Sequence, residues 1–168
     1  YGRTAMPLPL TTGKVLLVHA SGTANFSEVQ NWFFPDEDGV VRVYTTIDAA
    51  INATTATQGD KILVLEGHTE TITTAAGIAQ DVAGVEIIGL GNGEARPRIT
   101  FSTLTTASWA ISADNCTVKN IIGVAGVNAL ANPFNVTGAN CHLDIEWQDA
   151  SATVEAARAV LVTDVNGG

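Results

Sequence analysis

The strand-forming segments of this chain recur in groups, and this recurrence constrains the fold more than any other feature. Short apolar or alternating runs form four groups, whose leading strands are predicted to begin at Lys61, Val85, Cys116 and Cys141. The intervals between these starts are 24, 31 and 25 residues. A period of this size, with several short strands in each repeat, is typical of a β-solenoid in which each coil stacks on the previous one. The sequence therefore predicts an all-β, parallel β-helix of about four coils.

An antiparallel β-sandwich is the alternative, because it also consists of many short strands. Its neighbouring strands would be joined by tight hairpins, and no unambiguous Asn-Gly or Asp-Gly hairpin lies between two predicted strands. The segment GLGNGEA, residues 89–95, comes closest. Whole groups of strands repeat here, so the solenoid is favoured. An extra loop at residues 102–108 would explain the longest interval.

Composition limits the partners that this chain can have. The net charge is −9 and only eight of the 168 residues are Lys or Arg, so we predict no nucleic-acid partner. No apolar run approaches the roughly 18 residues of a transmembrane helix, so we predict no membrane span. The three histidines are far apart and no Cys-x-x-Cys pair occurs, so we predict no metal site and no cofactor.

Residues 1–40 differ from the rest and are predicted to form an extended N-terminal arm, with the solenoid domain at 41–168. The arm contains four of the ten aromatic residues, and they lie within nine positions: Phe26, Trp32, Phe33 and Phe34. They form either a docking surface or a small hydrophobic core beneath a loop. At the other end, the chain stops on TDVNGG just after an alternating stretch, and we expect the natural chain to continue.

A short helix is predicted over Thr46–Asn52, directly before the first group of strands. Thr45 or Thr46 can cap it, and Ile47, Ala50 and Ile51 lie at helical spacing. An open solenoid end exposes unpaired backbone and core side chains, so it has to be covered. We therefore expect this helix to close the N-terminal end of the coil stack.

The segments that follow the helix carry motifs of a known superfamily. A Gly-Asp pair at 59–60 precedes an apolar strand, a G-x-x-E-x-I step spans 67–72, and V-x-I-I-G spans 85–89. Together with the helix, they resemble the first coils of right-handed parallel β-helix proteins of the pectate-lyase-like superfamily. The resemblance covers residues 41–147 and implies a right-handed coil.

That superfamily contains polysaccharide lyases and glycosidases, and also non-enzymatic structural proteins of tailed bacteriophages. This short chain, rich in Thr, Ala and Gly and low in charge, resembles the second group. The resemblance implies a homotrimeric virion protein, assembled in the bacterial host cytoplasm and attached to capsid or tail as a decoration, cement or spike component. Its partners would be other virion proteins, with Phe26, Trp32, Phe33 and Phe34 as docking residues.

A polysaccharide-binding or polysaccharide-degrading spike module is the alternative function. Glycoside cleavage requires two carboxyl groups about 5–9.5 Å apart. Asp144 and Glu146 lie at i and i+2 on one predicted strand, about 7 Å apart, and Asp149 follows them. A host surface glycan would be the substrate. These carboxylates could equally form the polar outer face of the strand, and we predict no enzymatic activity.

The only two cysteines, Cys116 and Cys141, each follow an Asn and lie one coil apart. In stacked coils their Cα atoms would be about 4.8 Å apart, within the range for a disulfide. Parallel stacking points both Cβ atoms the same way, which favours two packed thiols over a bridge. We expect Asn115 and Asn140 to form an amide ladder beside them.

Overall fold

The structure is a computed structural model, and it describes residues 13–20 and 43–163. Within these residues the chain forms β-strands, one short α-helix and a 3-10 helix at Gly93–Ala95. In chain order the elements are β1 (Val15–Val18), β2 (Val43–Tyr44), α1 (Ile47–Ile51), β3 (Lys61–Val64), β4 (Thr69–Ile72), β5 (Ile78–Gln80), β6 (Glu86–Gly89), β7 (Arg98–Phe101), β8 (Trp109–Ile111), β9 (Thr117–Ala125), β10 (Phe134–Val136), β11 (His142–Asp149) and β12 (Val160–Val162).

The strands stack into three faces, and all pairings between them are parallel. The first face has the order β2-β1-β3-β6-β9-β11, the second β4-β7-β9-β11, and the third β5-β8-β10-β12. Strands β9 and β11 bend around a corner and contribute to two faces. The predicted parallel β-solenoid is thus confirmed, and the antiparallel sandwich is excluded.

The register confirms the repeat and adds one turn to it. Lys61 lies beside Glu86, Glu86 beside Thr117, and Thr117 beside His142, which gives spacings of 25, 31 and 25 residues. Strand β1 pairs with β3 on the side away from β6, so the solenoid has about five turns and not four. The spacing of the leading strands did not predict β1 as part of the repeat. Strand β1 lies 46 positions before its partner β3, and the intervening sequence includes α1, so this distance does not match the coil spacing.

Strand β1 also bears on the predicted arm. Its residues, Val15–Val18, fall within segment 1–40 but form a coil strand of the solenoid. Residues 1–12 and 21–42 lie outside the described part of the chain. The four aromatic docking candidates are among them, so their predicted role is carried forward as a prediction.

Helix α1 closes one end of the coil stack, as predicted. Thr46 is its N-cap, and the Thr46 hydroxyl accepts a hydrogen bond from the Ala49 backbone N–H at 3.3 Å. Ile47, Ala50 and Ile51 are fully buried against the first coil. A helix this short is marginal by itself, so its stability comes from this packing.

Two carboxylates fasten α1 to the strand edges below it. Asp48 Oδ1 accepts a hydrogen bond from the Ala79 N–H of β5 at 3.0 Å. Glu70 Oε2 of β4 accepts one from the Ile47 N–H at the helix N-terminus, also at 3.0 Å. Both bonds satisfy backbone donors at an edge or terminus that would otherwise lack a partner.

The interior is built from stacked columns of apolar side chains. On the first face, one inward column contains Leu16, Ile62, Ile87, Val118 and Leu143. On the third face, Ile78, Trp109, Phe134 and Val160 stack in register. The Phe134 ring centroid lies 5.3 Å from that of Phe101 and 5.6 Å from that of Trp109, so the later coils have an aromatic core.

A column of left-handed residues turns the chain into each new coil. Gly59, Gly84, Asn115 and Asn140 occupy equivalent positions, with φ of 75°, 77°, 58° and 55°. Glycine adopts this conformation freely, and Asn tolerates it better than most residues. The Asn140 side-chain amide lies 3.5 Å from Asn115 Oδ1, which confirms the predicted Asn ladder.

Candidate functional site at the open end of the solenoid

The C-terminal end of the described solenoid differs from the end that α1 closes. Strand β11 pairs with β9 on one side, and no described residue pairs along its other edge. Strand β12 likewise pairs only with β10 within the described chain. Val162, which stacks in register on the buried Val136, is 73% exposed. This end therefore presents both unpaired strand edges and core-facing side chains.

A cavity of about 330 Å³ opens at this end of the stack. Its walls are the inward residues of the last coil and the turn below them: Val136, Gly138, Asn140, Cys141, Leu143, Val160 and Val162. The lining is mostly apolar. Such a surface is suited to receive apolar side chains.

The three carboxylates proposed from sequence are all on β11, but their side chains differ in orientation and in their hydrogen-bond partners. Asp144 points outward beside Lys119 on the first face and is exposed, and its carboxylate makes no hydrogen bond or ion pair with a described residue. Glu146 points outward on the second face. A register shift between Asp144 and Ile145 marks the corner that separates the two faces.

Glu146 is held in an ion pair with Arg96 and accepts a hydrogen bond from Gln148 Nε2 at 2.8 Å. These two bonds, the one from Arg96 first, lower the pKa of Glu146 below its usual value. A general acid in glycoside cleavage needs a raised pKa, so this shift has the wrong direction for that role.

Asp149 is part of a loop anchor. It stacks beside Ala125, which faces the interior. Its Oδ1 accepts a hydrogen bond from Trp147 Nε1 at 3.0 Å and one from the Ala156 N–H at 3.2 Å. Asp149 therefore ties the loop after β11 to the last coil. The predicted cluster of three carboxylates is not formed around one point.

The outer surface carries an ion-pair network that sequence reasoning missed. Arg98 pairs with Glu94, and Arg98 Nη1 donates a hydrogen bond to Gln148 Oε1 at 2.8 Å. Ile122 lies in register between Arg98 and Glu146, points outward, and is nonetheless fully buried. The available signal was the 24-residue spacing of Arg98, Ile122 and Glu146, which is one residue shorter than the 25-residue spacing of two of the coils.

A second set of ion pairs lies on the first face. Lys61 and Lys119 both bind the carboxylate of Glu86, with the Lys119 Nζ at 3.0 Å from Oε1. These hydrogen bonds, the one from Lys61 first, lower the pKa of Glu86. Opposite charges on adjacent strands stabilise a sheet. On the first face, the cations of β3 and β9 are thus matched by a carboxylate on β6, the strand between them.

The two cysteines are free thiols one above the other, as predicted. Cys116 is buried, and burial, followed by the proximity of Cys141, raises the pKa of its thiol to about 11. Its Sγ lies 3.5 Å from the Val82 carbonyl oxygen, and Cys141 Sγ lies 3.4 Å from that of Ala113. A thiol with a raised pKa is a poor nucleophile, so Cys116 has the character of a core residue.

Two buried histidines lie near the closed end. His68 is completely buried, and its Nε2 lies 3.2 Å from Glu70 Oε2. Burial, followed by the charge of His68, lowers the pKa of the buried His19. Within residues 13–20 and 43–163, no three His, Cys, Asp or Glu side chains are placed to hold a metal ion together.

Comparison with known proteins gave no match to a family model, a curated protein or a solved structure. The parallel β-solenoid is therefore established by the strand register alone. In the described part of the chain, no helix has the length and apolar character needed to cross a bilayer.

Proposed function

We propose that this protein is a non-enzymatic structural component of a tailed-bacteriophage virion, attached to the capsid or tail as a decoration, cement or spike subunit. The parallel β-solenoid, in which two of the three candidate carboxylates are engaged in structural contacts, is the observation that carries this proposal.

The state of the carboxylates supports a structural role over catalysis. Glu146 is bound to Arg96 and Asp149 anchors a loop. The bacteriophage origin, the homotrimer and the virion location rest on the resemblance of residues 41–147 to β-helix proteins, and they are part of the proposal.

Analysis of purified particles tests this function directly. Particles from cells that carry the gene are purified by density gradient, and the protein is sought by mass spectrometry and by immunogold electron microscopy. We expect a regular number of copies on each particle. Sedimentation equilibrium should give three times the chain mass of 17.4 kDa. Particles without the protein would contradict the proposal.

The polysaccharide alternative is tested by incubation with host capsular or surface polysaccharide. Release of oligosaccharide that is lost in Asp144→Asn or Glu146→Gln would establish the alternative and refute the structural role. Asp81→Asn is the matched control, since Asp81 is also an exposed carboxylate but lies outside β11.

The docking role of the aromatic segment needs substitutions and not truncation. Deletion of residues 1–40 would also remove β1, which pairs with β3 inside the solenoid. Substitution of Trp32, Phe33 and Phe34 by Ser avoids that loss. If the protein docks through this segment, the substituted protein should fold but fail to attach to particles; full attachment would refute the role of these residues.

A further inference from the structure

We infer that the outer surface of the first face, over β1, β3 and β6, is the packing site for the aromatic residues of segment 21–42 of this same chain. This outer apolar patch consists of five aliphatic side chains: Leu17, Leu63, Leu65, Ile88 and Leu90. A contiguous apolar patch on an outer surface marks a site of interaction. The residues that fill it would be Phe26, Trp32, Phe33 and Phe34, as a small hydrophobic core on the sheet and not as a docking surface.

The strand register places two residues of the patch on the outer surface. Ile62 and Ile87 stack on each other in the interior and are fully buried. Successive side chains of a strand point to opposite sides, so the next residues, Leu63 and Ile88, point outward. They lie beside each other in register, and both are half-buried although neither packs against the hydrophobic core of the described residues.

Backbone hydrogen bonds extend the patch by one residue pair beyond β3 and β6. The Leu65 N–H donates to the Val18 carbonyl oxygen at 2.9 Å, and the Leu90 N–H donates to that of Val64 at 2.8 Å. The ladder therefore continues past the last strand residues, and alternation places Leu65 and Leu90 on the outer side. Both are half-buried, and both lie outside the hydrophobic core of the described chain.

Leu17 shows that this patch is covered from outside the solenoid interior. It points outward from β1 between Val43 and Leu63 and is not part of the interior cluster, yet it is only 4% exposed. Val15, which points the same way from the same strand, is 49% exposed. The cover therefore lies over the C-terminal half of β1, which is the half that borders the rest of the patch.

The ends of segment 21–42 identify the occupant. The chain leaves β1 at Val18 and returns at β2, where Val43 lies beside Leu17 in register. The segment therefore begins and ends next to the most deeply covered residue of the patch. Residues 1–12 enter β1 from its other end, where Val15 is exposed, so they are the less favoured occupant.

The extent of the patch also fits a segment of the chain that starts and ends nearby. In the later coils, the outward column that contains Leu63 and Ile88 continues as Lys119 and Asp144, which are charged. The apolar surface is thus confined to the strands closest to β1. Aromatic side chains bury about 150–250 Å² each, so four of them have the size to cover it.

Fluorine NMR of protein labelled with fluorotryptophan tests the inference. The chain has three tryptophans, Trp32, Trp109 and Trp147, and Trp32→Phe assigns the signal of the first. In the unsubstituted protein, the Trp32 signal should show little of the shift that a solvated indole undergoes between water and heavy water. Ile88→Lys should produce the full solvent shift, because it places a charge in the patch. Val15→Lys, which places the same charge on the same sheet outside the patch, is the matched control and should leave Trp32 protected.

The Trp109 and Trp147 signals report whether each variant folds. If Ile88→Lys alters them, Leu63→Ser provides a milder change at the neighbouring position of the patch. Nuclear Overhauser contacts between the Ile88 methyl groups and the ring protons of the aromatic residues within 26–34 should also be present, and they require no substitution.

Three outcomes would overturn the inference: full solvation of Trp32 in the unsubstituted protein, unchanged protection in both patch variants, or protection that is lost on dilution. The last would assign the patch to a second copy of the chain. The test is separate from that of the proposed function, because it uses the isolated protein. A protein with a protected Trp32 that is absent from particles would refute only the virion role, and a particle protein with a solvated Trp32 would refute only the packing.

Discussion

Gly123 leaves room in the solenoid interior for two aromatic rings, and we predict that Gly123→Ala destabilises the protein by about 1–2 kcal/mol. A Cβ atom at this position would lie 2.8 Å from Trp147 Cε3 and 2.9 Å from Phe134 Cε2. Carbon atoms in favourable contact are about 3.5–4.0 Å apart, so one ring has to move.

Trp147 is the ring that can move. Phe134 is fully buried and is packed against Phe101 and Trp109. Trp147 lies on the last coil and is only partly buried. Overpacking of a core costs about 1–3 kcal/mol, and the partial exposure of Trp147 places the cost in the lower half of that range. Its displacement would also break the Nε1 hydrogen bond to Asp149.

Guanidinium unfolding followed by circular dichroism measures the loss in unfolding free energy. A double-mutant cycle with Trp147→Leu tests its cause, since the smaller side chain should relieve the clash and give a coupling above about 0.5 kcal/mol. Leu104→Ala, at an exposed loop position, serves as the control and should be additive with Gly123→Ala. An unchanged stability in Gly123→Ala, or additivity with Trp147→Leu, would refute the reasoning.

Three further predictions concern His19 near the closed end, Asn115 in the column of left-handed residues, and the buried thiol of Cys116. Burial, followed by the charge of His68, lowers the pKa of His19 in the folded protein. The unfolded chain therefore binds more protons than the folded protein below about pH 6.5, and the unfolding free energy should fall as the pH drops through that range. The fall should be less steep in His19→Asn. Asn115 has a φ of 58°, so Asn115→Ala should cost about 1–2 kcal/mol in thermal unfolding, whereas Asn115→Gly should cost less. Cys116, with a pKa of about 11, should resist a thiol reagent in the native protein and react in denaturant; rapid native labelling would contradict its burial.

The fold was predictable because each coil of a solenoid has the same backbone and stacking requirements, and these requirements recur along the sequence. Each coil needs a left-handed residue at the same corner, and the sequence supplies Gly59, Gly84, Asn115 and Asn140 there. The two Asn-Cys pairs gave the coil length directly, since residues that stack in register must recur at that spacing. The helix was also predictable from the sequence, because Thr46 and a short apolar pattern specify its start and its buried face.

The remaining features depend on contacts that have no regular spacing. Strand β1 pairs with β3 across 46 positions, and the segment between them follows no period. Alternation correctly placed Asp144 and Glu146 outward, but it could not show that Arg96 holds Glu146. The role of Asp149 depends on the loop that returns to Ala156, whose path local sequence does not determine.

Nuclear Overhauser contacts in the isotope-labelled protein test the central claim most directly. Parallel stacking predicts backbone contacts between Ile62 and Ile87, between Ile87 and Val118, and between Val118 and Leu143. No close Hα–Hα contacts should join β3 to β4, which follow one another around a coil and do not pair. Cross-strand Hα–Hα contacts between consecutive strands, the pattern of antiparallel hairpins, would contradict the solenoid.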